Sequence, residues 1–393
     1  MSSGKYNFDK HINRHGTGAI KYSGSTELIP MWVADMDFSA PPEVLRDINT
    51  AVNHGIFGYT EPEKVGNGYY DAVTNWFKSR YNYSVDKKEI VKTPGIVFAL
   101  AQMVCAFTKL GDSVLIQTPV YYPFFDVIRE NGRKLVTNSL LYDGRKYAID
   151  FVAFEKQITE NNVKMFIFCN PHNPIGRVWN KFELNKLNDI CKAHDVIVIS
   201  DEIHCDFVYR PHNHLCFGNI NPEVIVATAP SKTFNLAGLQ SSNIFIKNEK
   251  LREKLKKQIH ASGYSQLNTL GLIACQSAYQ KGELWLSELK SYLTANIDTA
   301  NAFFKSRLTK IKFTRPESTY LLWLDFSEYG FTQKELDAYV RQKAKLWLSS
   351  GVIFGEEGKG FQRMNIACPI STLKEALHRL DQVQMFDDMM LVN

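Results

Sequence analysis

The sequence of 393 residues lacks the features that mark several large classes of protein. No apolar run approaches 18 residues, so we expect no membrane-spanning helix and no membrane partner. The 46 basic and 41 acidic residues give a net charge of only +5, without a dense basic block, which is weak support for a nucleic-acid partner. The first residues contain no apolar segment of the kind that secretory signals carry. We therefore expect a cytoplasmic protein that binds no nucleic acid.

Cysteine is scarce, with seven residues scattered along the chain and no CxxC pair. This usage is typical of a reducing compartment without structural disulfides, and no cysteine has a context that would activate it as a nucleophile. His212 and His214 lie near His204 and Cys205, but in a predicted loop, and no HExxH motif occurs. We therefore expect no metal site. No GxGxxG follows a strand either, which disfavours a nicotinamide dehydrogenase.

What the chain does have is an alternation of short apolar runs with helix-length amphipathic segments. Short runs of this kind are typical of strands buried on both faces of a sheet. Because crossover helices join them, they predict an α/β fold with a mostly parallel sheet in a large domain. The runs are Val114 to Ile116, Met165 to Phe168, Val196 to Ile199, Val224 to Val226 and Ile244 to Ile246.

Outside the large domain, we expect an N-terminal arm and a smaller α/β domain that is mostly C-terminal. We assign residues 1–45 to the arm and part of the small domain, 46–282 to the large domain, and 283–393 to the small domain. The pattern predicts strands at 320–326 and 361–366, and helices at 43–54, 67–82, 123–131, 151–161, 180–194, 269–308, 332–348 and 372–386.

Four of the apolar runs end in polar residues, at the place where open parallel sheets bind their ligands. Turns favour Asn, Asp, Ser and Pro in any case, so each ending also has a purely structural explanation. Their convergence on one sheet edge nevertheless predicts a ligand site. The endings are TPVYYPF (118–124), NPHNPIGRVW (170–179), SDEIH (200–204), and the pair Ser231 and Lys232.

Lys232 lies among small and apolar residues in TAPSKTFNLAGL, directly after a predicted buried strand. Partial desolvation would lower its pKa, and a lysine tuned in this way can form a Schiff base with a carbonyl. From this stretch alone, the alternative interpretation is that Lys232 is an ordinary solvated lysine in a loop. A second feature is the glycine turn before the apolar helix in residues 93–109, whose free backbone N–H groups suit a phosphate. Alternatively, Thr93 and Pro94 simply start that helix.

Pyridoxal 5′-phosphate requires this combination of groups. Its aldehyde needs a lysine, its protonated pyridine nitrogen needs a buried carboxylate, and its phosphate needs N–H groups and a hydroxyl. An amino-acid substrate needs a cation for its carboxylate, and the forked guanidinium of arginine matches it best. The strand ends supply nearly all of these groups in chain order.

The same residues resemble the aspartate-aminotransferase superfamily of pyridoxal phosphate enzymes, of fold type I. The similarity lies in NPHNPIG, SDEIH, PSKTFNLAGL and a later RMN, and it runs from about residue 29 to 380. Each motif is weak alone, but their order and spacing together are specific. More narrowly, the sequence is similar to the C–S β-lyase branch, the cystathionine β-lyases of the MalY/PatB type, in MWVADMDF, FGYT, TPVYYPFF, NPHNPIGRVW, SDEIH, SKTFN, AYQKGELWL, STYLLWLDF and RMNIACP.

The resemblance implies an aspartate-aminotransferase-like large domain that binds the cofactor, and it assigns roles to residues. Lys232 would hold the cofactor as a Schiff base and then move the Cα proton of the substrate. Asp201 would pair with the pyridinium nitrogen, and Arg363 would clamp the substrate carboxylate. The other implied contacts are Asn173 with the 3-oxygen and the substrate, Tyr121 with the ring, Ser231 with Gly95, Ile96 and Val97 around the phosphate, and Ala34 beside the substrate.

Two implied contacts need separate mention. Tyr59 in FGYT would reach the phosphate bound by a neighbouring subunit, which implies a homodimer. His204 stands three residues after Asp201, where many transaminases of the superfamily have tyrosine. A neutral histidine can donate only from the ring nitrogen that carries the proton, so the role of His204 at the cofactor is left open.

The implied activity is a β-lyase reaction on an amino acid with sulfur on Cβ, such as cystathionine or cystine, giving a thiol, pyruvate and ammonia. Two alternatives stay open. An aminotransferase would return the proton to the cofactor carbon instead. A regulatory protein would keep the cofactor but act by binding another protein.

Overall fold

The computed structural model describes residues 4–60 and 68–390, with side chains as far as residue 383. The strands are β1 Ile29–Pro30, β2 Ile90–Thr93, β3 Ser113–Thr118, β4 Lys134–Ser139, β5 Leu141–Tyr142, β6 Tyr147–Ala148, β7 Val163–Cys169, β8 Ile197–Asp201, β9 Ile225–Thr228, β10 Ser242–Phe245, β11 Lys312–Phe313, β12 Leu321–Asp325, β13 Leu346–Trp347, β14 Ser349–Ser350 and β15 Phe361–Asn365.

The helices are α1 Pro42–His54, α2 Tyr69–Tyr81, α3 Ile96–Phe107, α4 Pro123–Arg129, α5 Phe151–Glu160, α6 Lys181–Ala193, α7 Pro230–Thr233, α8 Glu249–Ala261, α9 Thr269–Lys281, α10 Glu283–Ser306, α11 Gln333–Ala338 and α12 Ile370–Met390. None of the helices in the described ranges combines the length and apolarity that a membrane crossing requires.

Seven strands form the main sheet, in the order β2-β10-β9-β8-β7-β3-β4. β10 runs antiparallel to β2 and β9, and every other neighbouring pair is parallel, so all strands except β10 end at the same edge. The predicted apolar runs all form strands of this sheet, and the predicted α/β fold is confirmed. The edge strands β2 and β4 escape prediction. β4 alternates buried and exposed residues along much of its length and so lacks a continuous apolar run.

The core lies on both faces of this sheet. Along β7, Met165 and Ile167 pack on one face, in the cluster formed with α3, α4 and α8, while Phe166 and Phe168 pack on the other. Successive side chains of a strand point to opposite faces, so burial of both sets requires layers on both sides. The sheet is therefore rigid, and its carboxyl edge is a fixed platform for polar residues.

A second, antiparallel sheet has the order β11-β12-β15-β14. In it, Arg363 of β15 stands between Trp323 of β12 and Ser349 of β14. β1 pairs in parallel with β13, which ties the N-terminal part of the chain to the C-terminal part. The domain boundaries at residues 45 and 282 stay a prediction.

The helix predicted at 332–348 is confirmed as far as Lys343 and wrong beyond it. α11 ends at Ala338, a π-helical turn follows over Tyr339–Lys343, and the chain then turns into β13 and β14. The segment LWLSS is apolar enough to extend a helical pattern, but its backbone pairs with β1 and β15 instead. The strand predicted at 361–366 and the helix predicted at 372–386 are β15 and α12, with small shifts at their ends.

Candidate active site

The carboxyl ends of β7, β8 and β9 bring the predicted residues together. Asp201 closes β8, directly between Cys169 at the end of β7 and Ala227 in β9. Asn173 follows β7 in a buried turn, and Lys232 lies in the short helix α7 after β9. Pro230 starts that helix, at a position where its missing N–H costs no hydrogen bond.

Lys232 is the centre of the site. Its Nζ donates to the carbonyl oxygen of Ala34 at 2.8 Å. Burial, together with the charge of Arg363, lowers its pKa to about 8 against the opposing effects of Asp35 and Asp201. The amine is therefore neutral far more often at physiological pH than an ordinary lysine, as a nucleophile and base must be.

Asp201 is a deeply buried carboxylate, only 3% exposed. One oxygen accepts the backbone N–H of Ile203 at 3.1 Å. Burial raises its pKa to about 7, against the opposing effects of that hydrogen bond and of Lys232. Since a buried carboxylate is costly without donors, a ring N–H or pyridinium fits its remaining lone pairs.

His204 lies three residues beyond the end of β8 and is buried. Burial, together with the charges of Lys232 and Arg363, lowers its pKa to about 3. Its Nδ1 has no hydrogen-bond partner among the described residues. His204 is thus a neutral imidazole with hydrogen-bonding capacity left for a bound group.

Arg363 is a buried guanidinium without an acidic partner among the described residues. It donates to Asn173 Oδ1 at 3.0 Å, to the carbonyl of Trp32 at 2.8 Å and to Ser349 Oγ at 3.3 Å. Its Nε has no described partner, and burial lowers its pKa to about 10. A buried cation in this state favours an anionic ligand, because an unpaired charge is expensive away from water.

The predicted phosphate cradle lies at the end of β2, on the same sheet edge. α3 begins at Ile96, directly after Gly95, and the first N–H groups of a helix have no acceptor within it. Ser231 stands in the first turn of α7 beside Lys232. Val97 is partly exposed, so this helix start is open to a ligand.

The two predicted tyrosines, Tyr121 and Tyr59, differ from each other in their surroundings. Tyr121 follows β3, and burial raises its pKa to about 12, with Arg363 and Asp201 among the charges that act on it. Tyr59 is fully exposed in the loop after α1, as are most of the side chains of Ile56 and Phe57. The structure thus brings Tyr121 to the site within this chain, but leaves Tyr59 on the surface.

Several residues that the sequence analysis misses hold the site in place. Tyr320 donates its hydroxyl to the carbonyl oxygen of Ala34 at 3.1 Å, the same oxygen that Lys232 uses. Asn235 donates from its amide to the carbonyls of Met36 and Phe38, both at 2.9 Å. Asn235 belongs to the quoted motif SKTFN, so its position signals a role, whereas nothing in the sequence near Tyr320 points to Ala34.

A buried hydrogen-bond network holds the turn that carries Lys232. Thr233, the next residue, donates from Oγ1 to Asp206 Oδ2 at 2.7 Å. The other oxygen of Asp206 accepts from Arg80 Nε at 3.1 Å and from the Tyr81 hydroxyl at 2.5 Å. Asp206 therefore links α2 to the turn that carries the lysine, over a sequence separation that no local pattern reveals.

Groups of three or more metal-ligating side chains are not found in the described part of the chain. His214 instead contacts Glu202 at 2.7 Å, and both are buried. Glu202 also accepts from Ser200 and from the backbone of Phe217, so this cluster is a structural hydrogen-bond network.

Comparisons with known proteins agree with this geometry. The family model "Aminotransferase class I and II" matches residues 26–380. The cystathionine beta-lyase PatB of Bacillus subtilis (strain 168) is 41% identical over 384 residues, which cover 95% of this chain and 98% of that protein.

Two solved structures also match over nearly the whole chain. Cystalysin from Treponema denticola, which contains a pyridoxal 5′-phosphate cofactor, superposes with a TM-score of 0.93 at 37% identity, covering 97% of this chain and 99% of that one. The PLP-bound C-S lyase from Staphylococcus hominis has a TM-score of 0.90 at 38% identity, covering 96% and 98%. The predicted superfamily is confirmed, and the chain belongs to the class I and II aminotransferase family.

Proposed function

We propose that the protein is a pyridoxal phosphate-dependent C–S β-lyase. It cleaves amino acids of the cystathionine and cystine type, with water, to a thiol, pyruvate and ammonia. The observation that carries the proposal is the meeting of a buried carboxylate that accepts a single described hydrogen bond, a lysine of lowered pKa and a buried guanidinium without an acidic partner among the described residues. The similarity to a named cystathionine β-lyase over 95% of the chain supports the choice of reaction.

The residues present fit the cofactor. Lys232 would hold its aldehyde carbon, Asp201 its ring nitrogen and Asn173 its 3-oxygen. The buried Asp201 carboxylate, which accepts one described hydrogen bond, and the unpartnered Nδ1 of His204 are the groups that a polar ring would satisfy. Tyr121 would lie against the ring, and Ser231 with the N–H groups of residues 95–97 would hold the phosphate. When bound, pyridoxal phosphate supplies an electron sink for the carbon that loses a proton.

Arg363 positions the amino-acid substrate. Its fork can offer two parallel hydrogen bonds to the substrate α-carboxylate. Asn173 Oδ1 accepts one guanidinium N–H and thereby orients the fork. Lys232 follows a strand of the main sheet, and Arg363 lies in a strand of the smaller sheet. Since both residues are held in this way, a substrate bound to Arg363 through its carboxylate has its Cα at a fixed position relative to Lys232.

Lys232 moves the proton. Its Nζ, with a pKa near 8, takes the Cα proton when the amine is neutral. The carbonyl of Ala34, at 2.8 Å, is the acceptor that holds the amine whenever it is not covalently engaged. Asp201 stays ionised when a positive ring nitrogen faces it, since an opposite charge lowers the pKa that burial has raised.

We also propose a homodimer. Ile56 and Phe57 expose 71% and 56% of their surface beside the fully exposed Tyr59. Clustered apolar side chains of this kind mark interaction surfaces. In a dimer, Tyr59 would reach the phosphate of the neighbouring site.

The deciding experiment is to incubate the purified, cofactor-loaded protein with L-cystathionine and no added keto acid. Equal amounts of pyruvate and homocysteine support the lyase. Turnover only after addition of a keto acid would show a transaminase and refute the proposal. A protein that binds the cofactor, turns over no substrate and captures a protein partner would be regulatory.

A further inference from the structure

A groove beside the site has no part in the roles described so far. It has a volume of about 490 Å³ and lies between α4 and residues 352–357. Its lining on the helix side consists of Tyr122, Phe125, Asp126 and Arg129. Their spacing of three, four and seven residues puts them on one face of the helix. At 1.5 Å per residue, the groove runs about 10 Å from Tyr122 to Arg129.

The near end of the groove adjoins the substrate site. The Tyr122 ring contacts the rings of Tyr121 and Phe354, at centroid distances of 5.3 and 6.3 Å. The Arg363 guanidinium stands 4.7 Å from the centre of Phe354. The Tyr122 hydroxyl is also close enough to raise the pKa of Arg363 against the effect of burial. One aromatic ring therefore separates the groove from the cation proposed to bind the substrate carboxylate.

The lining of the groove is mixed in chemistry. Tyr122 at the near end, with Val352 and Ile353 on the opposite wall, gives the groove exposed apolar surface. The rest of the lining carries both signs of charge, with Arg129 and Asp126 on the helix face and Glu356 on the opposite wall.

These charges are available to a ligand. Among the described residues, none of the three has a hydrogen-bond or ion-pair partner for its charged group, although Arg129 lies 5.7 Å from the Phe125 ring. Glu357, by contrast, is used within the fold, since it accepts from Thr118 Oγ1 at 2.8 Å and from Ser139.

We infer that this groove is the subsite for the part of the substrate beyond sulfur, and that it favours thioethers whose leaving group ends in both an ammonium and a carboxylate. Sulfur and methylene groups cross the apolar surface, the distal carboxylate meets Arg129, and the distal ammonium meets Asp126 and Glu356. The thioether cystathionine has such an end, and the disulfide cystine carries the same pair of groups, whereas simple S-alkyl cysteines do not. The inference rests on the proposed lyase function for the identity of the substrate.

The test measures binding rather than turnover. L,L-Diaminosuberate is the counterpart of L-cystathionine in which a methylene replaces sulfur, and L-aminooctanoate has the same chain without the distal charges. Neither can lose a thiolate, so calorimetric titration of the cofactor-loaded protein gives both dissociation constants directly. The measured quantity is the preference, which is the ratio of the two constants.

We expect the wild type to prefer diaminosuberate by about 10-fold, because each exposed ion pair contributes a modest factor. Arg129→Gln and Glu356→Gln should each reduce the preference by about 3- to 5-fold, and added salt should also reduce it, since exposed charges are screened. The control Glu130→Gln removes an exposed charge at the end of α4 outside the groove and should leave the preference unchanged.

A wild type without preference, or a preference that both variants retain, would overturn the subsite and leave these side chains as solvated surface. Pyruvate formation from L-cystathionine, measured on the same preparations, tests the lyase proposal separately. A protein that shows the preference but forms no pyruvate would keep the subsite and lose the lyase assignment.

Discussion

The site has two sides that meet at Lys232, and they are built in different ways. On one side, each polar residue follows its own strand of the main sheet, so its position is set by nearby backbone. On the other side lie residues 31–38, which we call the covering segment. It contains no strand or helix, and its place is set by contacts with distant parts of the chain, most of them from side chains.

The carbonyl groups of the covering segment show how it is held. The Met31 carbonyl accepts from the backbone N–H of Asn365 in β15. Six of the carbonyls that follow accept hydrogen bonds from distant side chains instead, and buried carbonyls need such partners. The bonds are Arg363 and Ser349 to Trp32, Asn365 to Val33 and Asp35, Lys232 and Tyr320 to Ala34, and Asn235 to Met36 and Phe38.

Ion pairs fix the same segment on its outer side. The fully buried Lys21 donates to Asp37 at 2.8 Å, and Arg14 pairs with both Asp35 and Asp37. The comparison teaches that one half of the site depends on local strand ends and the other on long-range contacts. Changes on the two sides should therefore differ in size and in kind.

The largest effect is expected on the sheet side, from Lys232→Ala. Pyruvate formation should fall by at least about 10³-fold, because the variant loses both the cofactor-holding amine and the general base, and a positioned base alone is worth 10²–10⁴. Some cofactor should remain bound through Asp201 and the phosphate cradle. Lys250→Ala, on the exposed face of α8, should behave as wild type.

Borohydride reduction of the cofactor-loaded wild type, followed by peptide mapping, identifies the modified lysine directly. A label on any lysine other than Lys232 would show that the site has been misplaced.

The next largest effect is expected from Asp201→Asn, which keeps the shape of the side chain but removes its charge. We expect kcat to fall by about 10²–10³-fold, the range for loss of one preorganised electrostatic contact, with a smaller change in KM. Steady-state pyruvate release over a range of L-cystathionine concentrations separates the two constants. Wild-type kcat in this variant would mean that the carboxylate does not face the ring nitrogen.

On the side of the smaller sheet, Arg363→Lys should weaken amino-acid binding by about 10- to 100-fold. Lysine cannot form the paired hydrogen bonds of the fork, and one hydrogen bond to a charged group is worth about 1.5–3 kcal/mol. Spectral titration with a substrate-like amino acid measures the dissociation constant. Arg46→Lys, on the exposed surface of α1, is the matched control.

Cofactor absorbance in the Arg363 variant should stay near the wild-type value, because the proposed cofactor contacts lie on the main sheet. Loss of the cofactor would instead give Arg363 a structural role, and an unchanged dissociation constant would move the carboxylate site elsewhere.

The difference between the two sides also explains what the sequence could predict. Asp201, Asn173 and Lys232 each follow a buried strand, so periodicity places them at one edge even without a known relative. The roles of Arg363 and Ala34 came from resemblance alone, since a strand arginine and a loop alanine carry no local signal.

Tyr320, Asn365 and Asp206 could not be given a role from the sequence. Each acts through a side chain-to-backbone or side chain-to-side chain bond across a large sequence separation, such as the 286 residues between Tyr320 and Ala34. The last part of the helix predicted at 332–348 is wrong for a similar reason, because pairing of residues 346–350 with β1 and β15 overrides the helical pattern there.

The smallest effect, and the sharpest test of the covering segment, is expected from Tyr320→Phe. The change removes one of two hydrogen bonds to the Ala34 carbonyl and leaves the buried ring in place. A net hydrogen bond is worth about 0.5–1.5 kcal/mol, so kcat should fall by about 2- to 10-fold as the acceptor for Lys232 becomes less well fixed. The control is Tyr209→Phe, since Tyr209 is also buried but its hydroxyl has no described partner.

A second readout uses the cofactor-free protein and separates positioning from general loosening of the fold. The acylation rate of Lys232, followed by peptide mapping, should rise with pH through a midpoint of about 8, because only the neutral amine reacts and its pKa is lowered to that value. In Tyr320→Phe the Ala34 carbonyl accepts from Lys232 alone and stabilises its ammonium form better. The midpoint should then move up by about half a pH unit. An unchanged midpoint together with wild-type kcat would mean that the Tyr320 bond has no part in holding Lys232, and that the sheet side alone positions the base.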